Sequence, residues 1–330
     1  MKQRSTRRLY LRVIFAVIFF LGSVTKLVTR TQKYVPKKFA AVMFDTSYES
    51  FGPPLEDLLP HLSTEWVVRI FLPLVEGNET GFLRSKNAVL QLPQIQTIGM
   101  KNIQVHVIGH VVTVPPGKSW TEKSQTFGVR IANNFALSQT TYTAIEEQHL
   151  LFFQKDSCFC APSINIDIKT FMRYKWLGAP WNPMIQNLTL SGESDDLIPL
   201  TYGNGGLSVR SKDFILDCLN REEYKDDLDV AVTGDGMPED VFFTRCLFDK
   251  HKEDVHLDQA RRFSVEELYP FSTFFIGAHD PCRVADKQVP GVIGCSTDAH
   301  KQITRALVEE CPQVKRIIRK CVDHSSFGFE

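Results

Sequence analysis

Short apolar runs, separated by longer mixed stretches, recur through the first half of the chain. They occupy residues 39–44 (FAAVMF), 66–72 (WVVRIFL), 103–108 (IQVHVI) and 150–153 (LLFF). Runs of this length, bounded by polar or helix-like segments, are typical of buried β-strands. Their alternation with longer segments predicts an α/β fold with a mixed, mostly parallel sheet flanked by helices. Because such sheets bind ligands beyond the carboxyl ends of their strands, the residues that follow each run are the first candidates for a site.

Composition sets limits on the protein class. The chain has 330 residues, of which 43% are hydrophobic and 23% charged, enough to bury one large core or two modest ones. A disordered polymer is therefore excluded. The 38 basic and 38 acidic residues give a formal net charge of zero, so no overall field attracts a polyanion. The sequence predicts no nucleic-acid partner.

The N-terminus is basic and then apolar. Positive residues stand at positions 2, 4, 7, 8 and 12, ahead of an apolar run at 13–24. The run reaches the length of about 20 residues that spans a bilayer if it is counted over 9–28, with Arg12 and Lys26 extending toward the headgroups. This pattern predicts a signal anchor with a cytosolic tail and a lumenal body. The alternative is a cleaved signal peptide, although no Ala-x-Ala site follows the run.

Two sequons and the cysteines agree with an oxidising, lumenal compartment. The sequons begin at Asn78 and Asn187, and eight cysteines stand at positions 158, 160, 218, 246, 282, 295, 311 and 321. No Cys-x-x-Cys pair occurs, so structural disulfides or buried thiols are expected rather than a metal cluster. The spacing leaves the pairing open.

Polar and aromatic residues follow the fourth run. Gln154, Lys155 and Asp156 come directly after it, and a carboxylate placed there can ligate a divalent cation. The alternative is that Asp156 caps a turn. Further on, Trp176 and Trp181 flank a Gly-Ala-Pro turn. We expect Trp176 to lie in the core and Trp181 to form a site wall, where its ring can stack on a base or a sugar.

A glycine-dense stretch, GNGGLSVR at 203–210, passes from a loop into a predicted strand. Three glycines within four residues, beside Asn204, predict that some group packs directly on the backbone of this stretch. Arg210 is placed to reach a phosphate or a carboxylate of an acceptor, or else it is an ordinary exposed residue at a strand end.

Two adjacent acids, Glu239 and Asp240, follow Pro238 at the start of a helix-like run. Proline and acidic residues favour the first turn of any helix, which explains the pair without a function. The functional alternative is that one carboxylate takes a proton from an acceptor hydroxyl while the other holds the loop backbone.

Taken in chain order, these motifs resemble lumenal glycosyltransferases of the GT-A type. The matching features are Asp156, the glycines at 203–206, the pair Glu239-Asp240, and His279 in FIGAH. The strings FFQKDS, YKWLGAPW, GNGGLSVR, PEDVFF and FSVE, with a later Gly-x-His, are similar to a eukaryotic group of GT-A-like proteins known as a domain of unknown function. The resemblance covers residues 39–283.

The resemblance implies a GT-A-like (Rossmann-like) domain at 39–283, after a tail and anchor at 1–30 and a stem at 31–38. A cysteine-containing extension at 284–330 follows. It also implies a type II protein of the Golgi or ER membrane that moves a sugar from a nucleotide-sugar donor to a glycan, protein or lipid acceptor.

Site roles follow from the same resemblance. Asp156 and His279 are expected to hold a divalent cation, Mn²⁺ in particular, while Gln154, Lys155, Trp181, Asn204, Gly205, Gly206 and Arg210 contact donor or acceptor. Asp240 is the expected base, with Glu239 as the alternative base or as the residue that orients the loop through an amide of Gly205 or Gly206. Gln154 departs from the family's Asp-x-Asp motif at its first position. That departure keeps two alternatives open: a metal-poor site that uses Lys155 or Arg210, and an inactive lumenal binding protein. No oligomeric state is predicted.

Overall fold

The computed structural model describes the chain over ten ranges. These are 38–45, 48–75, 77–112, 125–160, 167–180, 203–226, 228, 238–265, 275–279 and 306–315. The predicted anchor, nearly all of the predicted stem, and Trp181 lie outside them. Within these ranges, no helix combines the length and the apolar character needed to cross a bilayer.

The strands form one six-stranded sheet and one three-stranded sheet. In chain order they are β1 (Phe39–Phe44), β2 (Trp66–Val75), β3 (Gln104–Val112), β4 (His149–Phe153), β5 (Ser157–Phe159), β6 (Trp176–Gly178), β7 (Leu207–Ser211), β8 (Ser264–Val265) and β9 (Gly277–His279). The large sheet has the order β3-β2-β1-β4-β7-β6. Neighbours from β3 to β4 are parallel, whereas β7 runs antiparallel to β4 and β6 antiparallel to β7. The prediction of a mixed, mostly parallel sheet is confirmed.

Two strands extend further than the apolar runs predicted. β2 continues from residue 72 to Val75, and β3 continues from residue 108 to Val112. Pro73 and His110 interrupt the apolar pattern, yet they are register partners in the ladder between β2 and β3. Backbone pairing between the two strands therefore carries the sheet past the end of β1, because ladder hydrogen bonds do not depend on apolar side chains.

Helices connect and flank the strands. They are α1 (Gly52–Leu58), α2 (Glu79–Leu90), α3 (Pro93–Met100), α4 (Gln125–Ala136), α5 (Gln139–Thr143), α6 (Lys212–Leu219), α7 (Glu239–Lys250) and α8 (Leu257–Phe263). α2 packs against β2 and β3, α6 against β7 and α7, and α8 against β6. Asn78, the first residue of one sequon, is exposed, and its side chain caps α2 by accepting a hydrogen bond from the Gly81 amide. The other sequon lies outside the described residues.

The core lies around the central strands. Ala40, Ala41, Val42 and Met43 of β1 have no solvent exposure, as expected for a parallel strand covered on both faces. Trp176 of β6 is also fully buried, which confirms its predicted place in the core.

A buried ion pair lies within this core. Arg69 of β2 forms a bidentate ion pair with Glu147: Nε donates to Oε2 at 2.7 Å and Nη2 donates to Oε1 at 2.9 Å. Both side chains are buried. Two parallel, charge-assisted hydrogen bonds compensate both charges for the loss of water. Removal of either partner would leave the other charge buried without compensation.

The described residues include two disulfides, both formed by buried cysteines. Cys218–Cys246 joins α6 to α7, and Cys160–Cys311 joins the residue after β5 to the segment at 306–315. The prediction of structural disulfides is confirmed for these four cysteines. In the predicted C-terminal extension, residues 306–310 are helical and the helix ends before Pro312. The first disulfide fixes α7, the helix that begins with Glu239 and Asp240.

Candidate functional site

The polar segments that follow β1 and β4 meet at the point where successive strands switch from one side of β1 to the other. From β1 the chain proceeds to β2 and β3 on one side of the sheet, whereas β4 pairs with β1 on the other. Open α/β sheets bind ligands at the carboxyl ends of strands at such a point. Asp45 follows β1, and residues 154–157, which we name the β4 turn, follow β4. The two are in contact, because Lys155 Nζ lies 3.6 Å from Asp45 Oδ2. Asp45 is 7% exposed, while the Lys155 side chain is 56% exposed.

Residues 203–206, which we name the glycine loop, reach the same edge from β7. Because β7 is antiparallel to β4, its first residue, Leu207, pairs with Phe153, the last residue of β4. The Gly206 carbonyl accepts hydrogen bonds from the Gln154 amide at 2.8 Å and from Ser157 Oγ at 3.0 Å. The glycine loop is therefore bonded directly to the β4 turn.

The same loop is bonded to the first turn of α7. Asp240 Oδ2 accepts hydrogen bonds from the Gly205 amide at 3.3 Å and from Asn204 Nδ2 at 3.5 Å, and Oδ1 accepts one from the Val241 amide at 2.9 Å. Asn204 Oδ1 in turn accepts from the Gly206 amide at 2.7 Å. The structure thus brings Asp240 to Asn204, Gly205 and Gly206, from which it is distant in the sequence.

Backbone pairing brings His279 to the β4 turn. Ser157 of β5 and His279 of β9 are partners in an antiparallel ladder, and Asp156 immediately precedes Ser157. Only the backbone of His279 is described. A carboxylate and an imidazole are ligand types that suit Mn²⁺ and similar cations, so the residues at this position fit the predicted metal.

Protein side chains account for two of the glycines. Gly203 has φ +100°, a conformation that side chains disfavour, and a Cβ there would collide with Nε1 of Trp176. A Cβ on Gly205 would collide with Oε1 of Glu239. The predicted close approach to the loop backbone is therefore present, and the approaching groups in this structure are Trp176 and Glu239.

Arg210 differs from its predicted environment. Its side chain is 1% exposed, and its hydrogen bonds go to Ser208, Tyr142, Gly205 and Glu239. The contact with a donor phosphate or an acceptor carboxylate stays a prediction. The alternative of an exposed strand end is wrong, since the guanidinium faces the interior. Sequence reasoning missed this because the strand-end position indicated nothing about the aromatic residues that cover it.

The two acids of the pair have different partners. Glu239 Oε1 lies 3.5 Å from Nη2 of buried Arg210, whereas Asp240 accepts the Gly205 amide. One of the two roles that the resemblance implied for Glu239 was to orient the loop through an amide of Gly205 or Gly206. The structure gives the Gly205 contact to Asp240, because the helix begins at Glu239 and directs that side chain toward Arg210.

A second group of metal-binding residue types lies elsewhere. His251, Glu253 and Asp254 bring ligand atoms within 4.8 Å of one another. Lys175 is already bound there, with Nζ 2.9 Å from His251 Nδ1 and 2.7 Å from Asp254 Oδ2. The lysine carbonyl accepts from Ser211, the partner of the first residue of β4, so this group lies at the opposite end of that strand from the β4 turn. The Lys175 ammonium already offsets negative charge that this group would offer to a metal cation.

Asp45 is the polar residue that the sequence reasoning did not single out. It directly follows the predicted strand at 39–44. Because residues that follow a strand are the first candidates for a site in such sheets, the position of Asp45 after this strand was enough to predict it.

Comparisons with known proteins give one family and distant structures. A family profile described as "Protein of unknown function (DUF5672)" matches residues 121–280, a range that includes every predicted site residue. This similarity agrees with the resemblance to a group of unknown function. No curated protein matches the chain. One similar solved structure is core-mannan synthase A (CmsA/Ktr4) from Aspergillus fumigatus in its Mn/GDP form, at 11% identity and a TM-score of 0.39, covering 69% of this chain and 72% of that one. A TM-score of that size does not establish a common fold.

Proposed function

We propose that this protein is a glycosyltransferase that moves a sugar from a nucleotide-sugar donor to an acceptor hydroxyl. The observation that carries the proposal is the glycine loop, which is hydrogen bonded at Gly206 to the β4 turn and at Gly205 to Asp240. A diphosphate-binding edge and a carboxylate that can take a proton are thereby held a fixed distance apart. That arrangement suits group transfer, in which leaving group and nucleophile must be aligned.

The donor is proposed to occupy the crevice between the ends of β1 and β4. Lys155, whose side chain is 56% exposed, would contribute positive charge toward the diphosphate. Gln154 would form a hydrogen bond with the nucleoside. Asp156 and His279 would hold a divalent cation such as Mn²⁺. When bound, the cation would offset the negative charge that develops on the departing diphosphate. Trp181 remains a proposed wall of the sugar site.

The proposed reaction forms one bond and breaks one. The acceptor oxygen bonds to C1 of the donor sugar, the bond from C1 to the phosphate oxygen breaks, and the nucleoside diphosphate leaves with that electron pair. Asp240 takes the proton of the acceptor hydroxyl. Glu239 is the weaker candidate for the base, because its carboxylate is already engaged in an ion pair with the guanidinium of Arg210.

The proposed setting is the lumen of the Golgi or ER, with residues 1–30 as tail and anchor and residues 31–38 as stem. The basic N-terminus, the apolar run and the sequons support this setting. The proposed acceptor is a glycan, a protein or a lipid.

A non-catalytic lumenal binding protein is the second candidate. Two observations favour it: Gln154 stands where the related motif has an acid, and the oxygens of Asp240 already accept hydrogen bonds from the protein. Such a protein would bind a nucleotide sugar or a glycan without releasing nucleotide.

A donor screen separates the two candidates. The purified lumenal part is mixed with each common nucleotide sugar, with Mn²⁺ or with EDTA, and the nucleoside diphosphate released is measured. The transferase proposal predicts release from one donor, dependent on Mn²⁺ and faster with the correct acceptor. Binding of a donor with release at the background rate would favour the second candidate, and neither binding nor release from any donor would reject both.

A further inference from the structure

A positive charge in the core of this protein requires an explanation. Arg210 lies on β7 with its side chain 1% exposed. Burial of an ionised group is costly unless charge and hydrogen bonding compensate it, and an apolar residue would pack there without that cost. The contacts of the guanidinium indicate what the charge does.

Its hydrogen bonds converge on the glycine loop and the acidic pair. Nη2 donates to the Gly205 carbonyl at 3.0 Å and lies 3.5 Å from Glu239 Oε1. Nε donates to Ser208 Oγ at 2.9 Å, and the same hydroxyl donates to the Gly205 carbonyl at 2.9 Å. One side chain therefore bonds to the loop on one side and to Glu239 on the other.

Aromatic rings fix the plane of the guanidinium. Its central carbon, Cζ, lies 4.0 Å from the ring centroid of Phe152, 4.8 Å from that of Trp176 and 5.9 Å from that of Phe243. A flat cation gains attraction from each ring face, and a lysine ammonium cannot reproduce both this stacking and the forked hydrogen bonds.

The remaining arm reaches a second part of the fold. Nη1 donates to the Tyr142 hydroxyl at 3.1 Å, and that hydroxyl donates to the Ala136 carbonyl at 2.7 Å. Burial raises the pKa of Tyr142, so the hydroxyl stays protonated and can accept and donate at once. The guanidinium is thus hydrogen bonded, through the Tyr142 hydroxyl, to the end of α4.

We infer that Arg210 is the positioning residue of this site, because its buried guanidinium sets the separation between the glycine loop and the acidic pair. The inference rests on the proposed transferase function. Arg210 acts on the reaction through Gly205 and Glu239. It contributes both geometry, through the forked hydrogen bonds, and charge, through its ion pair with Glu239.

Two substitutions separate these contributions. Arg210→Lys keeps the charge and loses the fork, so we expect kcat for nucleotide release to fall by about 10²-fold with little change in the donor KM, because a small displacement of reacting groups is enough for such a loss. Arg210→Met loses the charge as well. Glu239 then loses its ion-pair partner, so kcat should fall further in Arg210→Met than in Arg210→Lys.

Arg69→Lys is the matched control, since Arg69 is also a buried, ion-paired arginine of the same sheet but pairs with Glu147. It should lower the stability without changing kcat. Unchanged kcat in Arg210→Lys, or equal losses of kcat in Arg210→Lys and Arg69→Lys, would overturn the inference.

Amide hydrogen exchange tests the inference independently of turnover. Arg210→Lys should increase exchange in peptides covering residues 203–208 and 238–243 more than elsewhere, whereas Arg69→Lys should not. A wild type that releases no nucleotide rejects the transferase proposal, and the exchange result then decides whether Arg210 positions the loop. Equal exchange in these peptides for wild type and Arg210→Lys would reject that role. If Arg210→Met does not fold, Arg210→Lys alone tests the inference.

Discussion

Asp240→Asn is expected to lower kcat for nucleotide release in the presence of acceptor by about 10³-fold, within the range that general bases contribute. The amide oxygen of Asn can still accept the hydrogen bond from the Gly205 amide, but the side chain can no longer take a proton. The fold should therefore persist while the chemical step is lost. Initial rates at saturating donor, together with the melting temperature of each variant, measure both effects.

Asp249→Asn makes the same chemical change in the same helix and serves as the control. Asp249 accepts a hydrogen bond from the Tyr224 hydroxyl at 2.9 Å, at the other end of α7 from Asp240. Its rate should match that of the wild type. Equal rates for Asp240→Asn and Asp249→Asn would remove Asp240 from the mechanism, and Glu239→Gln would then be the next variant to measure.

Glu147→Ala is expected to reduce the free energy of unfolding by about 3–5 kcal/mol, because it leaves the Arg69 guanidinium buried without a partner. Urea unfolding at pH 7 gives this value from the shift of the midpoint at constant slope. Glu222→Ala removes an acid that is 86% exposed and paired with Lys225, so its effect should stay within about 0.5 kcal/mol.

The double variant Arg69→Met, Glu147→Leu tests the physical reason. With both charges removed, no ion remains buried, and we expect most of the lost stability to return. A double variant as unstable as Glu147→Ala would show that packing around these side chains, rather than an unpaired charge, determines the loss.

Strands β1 to β4 could be predicted from the sequence because their signal is local. Residues 39–44 form β1 with unchanged bounds, since an uninterrupted apolar run is what a strand buried on both faces requires. β2 and β3 were predicted too short, because the pairing of Pro73 with His110 depends on the neighbouring strand and not on the local pattern. Strand order and register likewise depend on contacts between distant segments.

The environment of the candidate residues was less accessible to prediction. The glycine spacing indicated correctly that something packs on the loop, but the identity of that group depends on Glu239 and Trp176, which lie some thirty residues away on either side. The burial of Arg210 was likewise not accessible from the local sequence, because a charged residue at a strand end is usually exposed. Phe152, Trp176 and Phe243 pack around it and bury it.

The central claim is that the β4 turn, the glycine loop and the start of α7 form one site for the diphosphate of a donor. Calorimetric titration of the purified lumenal part with UDP and with GDP, in Mn²⁺ and in EDTA, tests it most directly. Wild type should bind one of the two nucleotides at one equivalent in Mn²⁺, and Asp156→Ala should weaken that binding by at least about tenfold. Asp258→Ala, which alters an acid with a 92% exposed side chain, should bind like wild type. Absence of binding to either nucleotide, or equal affinity of wild type and Asp156→Ala, would contradict the claim.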